Sequence, residues 1–329
     1  MSKTILITGG SGLVGNGIKS VSEKYSNYTF IYISSKDFNL SNMTDTINMF
    51  EMYKPHYVIH LAACVGGLYK NMNNKVEMLE KNLMINYNVV KCSHDYKVEK
   101  LISCLSTCIF PDNVTYPINE SMLHNGPPHS SNDSYAYAKR MLETHCKAYK
   151  ENYGDNFICV IPTNIYGHHD NFNLEDGHVL PALIHKCYLA KKTNIDFVIR
   201  GSGLPLRQFI YSEDLAQLIM NILIDNNSDD NSGGENAMKE SNDSNIILSV
   251  PEKDEISIKD VGLLIAKCFN YEDRIIFDHN YSDGQYKKTV SSEKVMNKFP
   301  DFKFTNIEYG IKKTVEWFIE KQQNSVNAN

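Results

Sequence analysis

Tyr135 and Lys139 stand four residues apart in Asp133-Ser-Tyr-Ala-Tyr-Ala-Lys139. On a helix that spacing puts both side chains on one face, about one turn apart. An ammonium fixed below a phenol favours the phenolate, so the tyrosine is expected to have a lowered pKa and to exchange a proton near neutral pH. By itself the pair is also an ordinary solvated helix face. Two other stretches add chemistry. The strand-like run Lys3-Thr-Ile-Leu-Ile-Thr8 leads at once into Gly9-x-x-Gly12-x-x-Gly15, with Ser11, Leu13 and Val14 between the glycines. Glycines so spaced allow a tight turn, close approach of backbone amides to a pyrophosphate, and a helix N-terminus facing the anion. A second apolar run, Leu101-Ile-Ser-Cys-Leu105, ends at Ser106-Thr-Cys108, which sets a hydroxyl and a thiol at a strand's carboxyl end.

These groups need a frame that brings strand ends, a glycine turn and a helix together. Strand-like runs at 29–33, 57–63, 101–105 and 157–161 alternate with helical patterns, among them 18–24 and 75–97. Such alternation implies an α/β fold with a Rossmann-type doubly wound parallel sheet, ligands binding at the strands' carboxyl ends. Further helices are expected at 179–191, 213–224, 258–269 and 307–318, with a strand at 246–250. The expected division is a dinucleotide-binding domain at 1–167, to which 207–224 returns, and a smaller α/β substrate-binding domain from 168–206 and 246–322. Residues 225–245 are polar and nearly devoid of large apolar side chains, so they read as an inserted mobile loop, and the tail after Gln322 as frayed. His60, inside an apolar strand, is expected as a hydrogen-bonded core residue.

Composition narrows the class. The chain has 329 residues, 42% hydrophobic and 22% charged, with a net charge of -6, so neither nucleic acid nor an anionic membrane is indicated as a partner. It shows no apolar run of about twenty residues and no charged-then-apolar leader, which points to the cytoplasm. Eight cysteines are scattered with no Cys-x-x-Cys pair, so no metal site or disulfide framework is expected. About twenty residues past the glycines, where a carboxylate normally takes the ribose hydroxyls of NAD, stands Ser34-Ser35-Lys36-Asp37. Ser35 and Lys36 suit a 2′-phosphate and favour NADP; Lys36 as a solvated loop residue with Asp37 on the ribose stays open as the alternative.

The glycine pattern, Ser106 and Tyr135-x-x-x-Lys139 together resemble the extended short-chain dehydrogenase/reductase family. Within it, ordered stretches at 104–111, 124–129, 134–140, 161–167, 169–172, 176–181, 207–211 and 282–288 resemble enzymes that act on GDP-linked keto sugars. These invert the two ring carbons beside the ketone and then reduce it with NADPH. The resemblance implies that the Ser106 hydroxyl binds the substrate carbonyl, that Tyr135 passes it a proton, and that Lys139 holds the nicotinamide ribose. Inversion beside a ketone needs a base on one face, an acid on the other and a stabilised enolate. The resemblance assigns Cys108 as base and His178 as acid.

It also implies NADP(H) contacts at Gly9, Ser11, Gly12, Leu13, Val14, Gly15, Ser35, Lys36, Ala62, Pro162 and Asn164, along with Tyr135 and Lys139. Substrate contacts are implied at Asn164, His178, Lys186, Arg200, Arg207 and Lys288, the cations facing a diphosphate. A homodimer built on two helices per subunit is implied as well. Two positions depart from the family: Arg200 stands where relatives often have tryptophan, and Ser11 where bacterial relatives have an arginine for the 2′-phosphate. Dehydratases of the superfamily typically carry Thr-Asp-Glu near this strand end, so Ser106-Thr-Cys108 argues against dehydration. The alternatives are another nucleotide-sugar epimerase or reductase of the family, and a non-catalytic dinucleotide-binding redox sensor.

Overall fold

The apolar run at the start forms strand β1 (Lys3–Thr8), whose residues alternate between two cores: Ile5 and Ile7 pack on one face of a sheet and Leu6 on the other. A strand covered on both faces has no polar side, and so reads as a continuous apolar run. The computed structural model describes residues 2–225, 244–281, 283 and 285–327. The expected insert at 225–245 therefore lies outside the described residues, apart from Asp225, Ser244 and Asn245.

After β1 come α1 (Leu13–Val21), β2 (Tyr28–Ile33), α2 (Met43–Tyr53), β3 (Tyr57–His60), α3 (Leu68–Asn73), α4 (Lys75–Asp95), β4 (Lys100–Cys104), α5 (Asp133–Tyr153) and β5 (Phe157–Pro162). The chain continues through β6 (Asn164–Tyr166), α6 (Val179–Thr193), β7 (Phe197–Arg200), β8 (Leu206–Arg207), β9 (Phe209–Tyr211), α7 (Ser212–Ile224) and β10 (Asn245–Leu248). It ends with β11 (Ile256–Ser257), α8 (Ile258–Phe269), β12 (Ile275–Asp278), α9 (Glu293–Lys298) and α10 (Ile307–Asn327).

Six strands form a parallel sheet in the order β10-β5-β4-β3-β1-β2. The winding reverses between β1 and β3, which pair from Ile5 with Tyr57 to Thr8 with His60. A crevice at the carboxyl ends of two such strands is where open α/β sheets bind ligands. One face of the sheet is covered by α2, α4 and α5 and the other by α1 and α7. A separate core of Leu183, Ile184, Phe197, Ile199, Ile265 and Phe318 joins α6, β7, α8 and α10 into a second lobe.

The structure redraws parts of the expected division. Residues 246–322 split between the lobes: β10 joins the large sheet beside β5, and Val295, Phe299 and Phe304 pack on that sheet's core. The strand expected at 57–63 stops at His60: Leu61 N–H still donates to Thr8 O, but Ala62 N–H turns to Thr8 Oγ1 and the chain then leaves the sheet toward α3, a helix the sequence pattern did not show. The last helix runs to Asn327 where a frayed tail was expected after Gln322.

His60 is fully buried between Thr8 Oγ1 (2.8 Å) and Asn86 Oδ1 (3.1 Å), and burial pushes its imidazole down to about 3. All eight cysteines are free thiols. Among the described residues no helix is long and apolar enough to cross a membrane, and no cluster of potential metal ligands occurs.

Candidate active site

A cavity of about 730 Å³ opens where β1, β3, β4 and β5 end. One end is the glycine turn. Gly9 has φ +70°, and a Cβ there would lie 2.8 Å from Ala62 N; a Cβ on Gly15 would lie 2.5 Å from Gly10 O. Both positions therefore require glycine, and the backbone of β1, α1 and the 61–62 segment closes into one cradle. Helix α1 starts just after Gly12 with no acidic residue in its first turn, so its positive end is unmatched by any carboxylate of its own. That arrangement fits a pyrophosphate. Ser11, Leu13, Val14 and Ala62 also line the cavity.

At the end of β2, Ser34 and Ser35 belong to the cavity wall, whereas Lys36 is exposed and does not. Asp37 Oδ2 accepts from Ser34 N–H (2.8 Å) and Ser34 Oγ–H (2.7 Å), and these bonds hold its carboxyl below the usual range. Both bonds fall on Oδ2, so Oδ1 is left to accept and the alternative that puts Asp37 on a ribose stays open, although Asp37, like Lys36, is not part of the wall.

The other end of the cavity gathers Ser106, Tyr135, Lys139, Pro162, Asn164 and His178. Helix α5 presents Tyr135 and Lys139 on one face, with the Lys139 ammonium 5.9 Å from the Tyr135 ring centroid. Lys139 is 2% exposed and its Nζ donates to Cys104 O at 2.7 Å, at the end of β4. Burial lowers its pKa. The expectation of a lowered tyrosine pKa is reversed: burial pushes the Tyr135 phenol well above its ordinary value, and Cys108, Cys104 and Cys64 add to the rise. Helical spacing places the cation but says nothing of the protein packed around the phenol, which outweighs it.

Cys108 sits in a 3₁₀ turn, Thr107–Ile109, that follows Ser106, and its N–H lies 3.5 Å from Ser106 Oγ. It is 9% exposed and stands behind the wall that Ser106 and Thr107 form. Burial pushes its thiol up, and the strongest opposing influence is the Lys288 ammonium. His178 holds the position just before α6, on the cavity wall, where surrounding protein pushes its imidazole below the ordinary value.

The four cations expected to face a diphosphate lie off this wall, in two pairs. Lys288 neighbours Arg207 as well as Cys108, and burial lowers both cations. Arg207 donates Nη1–H to Leu206 O (2.6 Å) and Nη2–H to Gln285 O (2.7 Å). In the second lobe the Arg200 guanidinium stacks 4.4 Å from the Tyr281 ring centroid, and Lys186, lowered by burial, also feels the charge of Arg200.

The sequence reading missed the wall segment around Asp170. This residue is 9% exposed; Oδ1 accepts from Asn171 N–H at 2.7 Å, and Oδ2 is buried without a partner. Burial pushes its carboxyl up to about 7. Its neighbour His169 has φ +65°, a left-handed backbone that costs energy for a non-glycine residue and tends to occur at functional sites. Thr163 Oγ1, on the same wall, is likewise buried and unpaired. The stretch 169–172 was among the family-like ones, but no spacing rule singles out a lone aspartate.

Residues 5–235 match the model of the NAD dependent epimerase/dehydratase family. A GDP-L-fucose synthase of Dictyostelium discoideum is 51% identical over 327 residues, covering 98% of this chain and 97% of the relative. A probable GDP-L-fucose synthase of Drosophila melanogaster is 44% identical, covering 97% of this chain and 98% of the relative. Among solved structures, a GDP-L-fucose synthetase of Naegleria fowleri bound to NADP superposes with a TM-score of 0.88 at 42% identity, covering 98% of this chain and 96% of that one.

Proposed function

The chain belongs to the NAD dependent epimerase/dehydratase family, and from that premise we propose that it converts GDP-4-keto-6-deoxy-D-mannose to GDP-L-fucose with NADPH, inverting C3 and C5 and then reducing C4. One observation supports this above the rest: a glycine cradle at one end of a cavity and Ser106, Tyr135, Lys139 and His178 at the other. NADP(H), when bound, supplies the hydride for C4. Gly9 to Gly15 take its pyrophosphate, Ser35 and Lys36 its 2′-phosphate, and Ala62, Pro162 and Asn164 its nicotinamide half.

Cys108 removes the protons at C3 and C5 while His178 returns protons on the opposite face. The Ser106 hydroxyl donates to the C4 oxygen and steadies the enolate. Tyr135 then protonates that oxygen during reduction, with Lys139 behind it on α5. Lys186, Arg200, Arg207 and Lys288 are assigned to the GDP diphosphate, which desolvated cations would pair with strongly.

We also propose a homodimer through α4 and α5, whose outward faces carry the exposed Val76, Met84, Tyr87, Tyr137 and Met141, acting in the cytoplasm. The test mixes purified protein with GDP-4-keto-6-deoxy-D-mannose and follows nicotinamide absorbance, NADPH beside NADH, with chromatography of the product. Rapid NADPH loss with GDP-L-fucose formed is expected. Reduction without inversion would remove the roles given to Cys108 and His178. Turnover of a different keto sugar alone would move the substrate assignment, and silence from folded protein with either cofactor would favour a non-catalytic sensor.

A further inference from the structure

Helix α5 carries a second buried cation, next in line after Lys139. Arg140 is 8% exposed, and among the described residues no carboxylate pairs with it. Its Nε–H donates to Ile109 O at 2.6 Å and its Nη1–H to Gly126 O at 2.8 Å, while Nη2 is buried without a partner. Taking a guanidinium out of water to meet two neutral carbonyls and, 5.7 Å away, the face of the Tyr137 ring is costly, and a well-packed apolar side chain of similar volume is often as stable. Packing therefore does not explain the residue. Its partners do.

Ile109 closes the turn that holds Cys108, and Gly126 belongs to the loop that lies over Pro111, where Asp112 N–H donates to Pro127 O. One rigid fork thus ties the helix bearing Tyr135 and Lys139 to the turn bearing Ser106 and Cys108. We infer that Arg140 is a positioning residue, holding the Cys108 thiol in fixed register with Tyr135 so that one bound sugar meets both the inverting and the reducing groups. This rests on the proposed role of Cys108 as base.

The test compares Arg140→Met and Arg140→Lys with the wild type by three readouts. These are deuterium uptake from D₂O into the keto sugar, the pH profile of Cys108 alkylation resolved by peptide mass, and NADPH affinity by nicotinamide fluorescence. Loss of register is expected to slow deuterium uptake roughly tenfold to a hundredfold and to alter the alkylation profile, with NADPH affinity nearly unchanged. Arg140→Lys keeps the charge without the planar fork and should fall between. Wild-type uptake and alkylation in both variants would overturn the inference. So would a parallel fall of uptake, NADPH affinity and thermal midpoint in Arg140→Lys, which marks a general structural role. Cys108→Ser runs alongside: if it keeps full deuterium uptake, the base assignment fails and takes this inference with it. If Cys108→Ser loses uptake and the Arg140 variants do not, the Arg140 inference alone falls.

Discussion

The groups proposed for reduction and those proposed for inversion are built differently. Ser106, Tyr135 and Lys139 come from one strand end and one helix of the same lobe, locked together by the Lys139 bond to Cys104 O. The inverting pair spans more of the molecule. Cys108 lies behind Ser106 and is opposed by Lys288 from near the chain's end, while His178 stands at the first turn of a helix in the second lobe. Surrounding protein acts on both sets in one sense, pushing Tyr135 and Cys108 up and Lys139 and His178 down, each toward its uncharged form, although His178 is itself exposed.

The consequences are opposite. A tyrosine that must donate a proton is helped by staying protonated, whereas a base that must be a thiolate and an acid that must be an imidazolium are both hindered. Reduction is therefore the robust half of the site, and inversion the half whose reacting forms are least populated and most sensitive to position.

The largest expected effect separates the two outright. Tyr135→Phe should slow reduction by on the order of a thousandfold, the usual worth of a general acid, while deuterium uptake into the keto sugar stays within a few fold. Single-turnover NADPH oxidation and mass spectrometry of the sugar measure the two. Cys108→Ser is the reciprocal case: uptake should fall by about a hundredfold or more with reduction retained. If either variant loses both activities equally, the division between the sets is wrong.

The pH dependence sharpens the contrast. Inversion needs thiolate, whose fraction rises with pH, and imidazolium, whose fraction falls. Because the acid's pKa is lowered and the base's raised, the product of the two fractions is low and level between them, and falls on either side. Deuterium uptake should therefore be flat across neutral pH. His178→Asn removes one requirement: uptake should drop roughly a hundredfold at neutral pH and then climb about tenfold per pH unit toward the thiol's pKa. A bell centred at neutrality in the wild type would contradict this wide separation of the two pKa values. Reduction should show no alkaline loss over the same range, since Tyr135 stays protonated.

What was legible in the sequence was what is local. Alternating strands and helices, the glycine turn and the Tyr135–Lys139 pair each depend on spacing within a short stretch, and the structure builds them where they were expected. The direction of the Tyr135 shift was not legible, because the three cysteines and the protein packed around it come from separate stretches of the chain. The neighbourhood of Lys288 with Cys108, the orphan oxygen of Asp170 and the fork of Arg140 are likewise products of packing. The split of 246–322 between lobes escaped for the same reason: an apolar strand such as β10 does not announce which sheet it will join.

A smaller effect tests how far the Cys108 environment tunes inversion. Lys288 is the main influence opposing burial on the thiol, so Lys288→Met should raise the thiol pKa further. A rise of one unit would lower the thiolate fraction, and with it deuterium uptake, by about tenfold at neutral pH. Reduction should be spared at saturating substrate. The alkylation profile of Cys108 reads the shift directly, and an unmoved profile would leave Lys288 with the diphosphate alone.

The smallest effect expected comes from the proposed dimer face, and it should fall unequally on the two sets. Met84 on α4 and Met141 on α5 are 47% and 53% exposed, and α5 is the helix that carries Tyr135, Lys139 and Arg140. Introducing like charges there, as in Met84→Lys with Met141→Lys, should split a dimer without touching the cavity, because apolar burial that drives association is replaced by repulsion between charges. Sedimentation velocity would show the change in mass. If the partner's helices brace α5, reduction should fall by about two- to fivefold through a looser Tyr135, as loss of supporting contacts degrades a positioned group. His178, in a lobe with its own core, should lose less. A monomer that reduces and inverts at full rate would show that α5 holds its catalytic face through β4 and β5 alone, the bond from Lys139 to Cys104 O being sufficient.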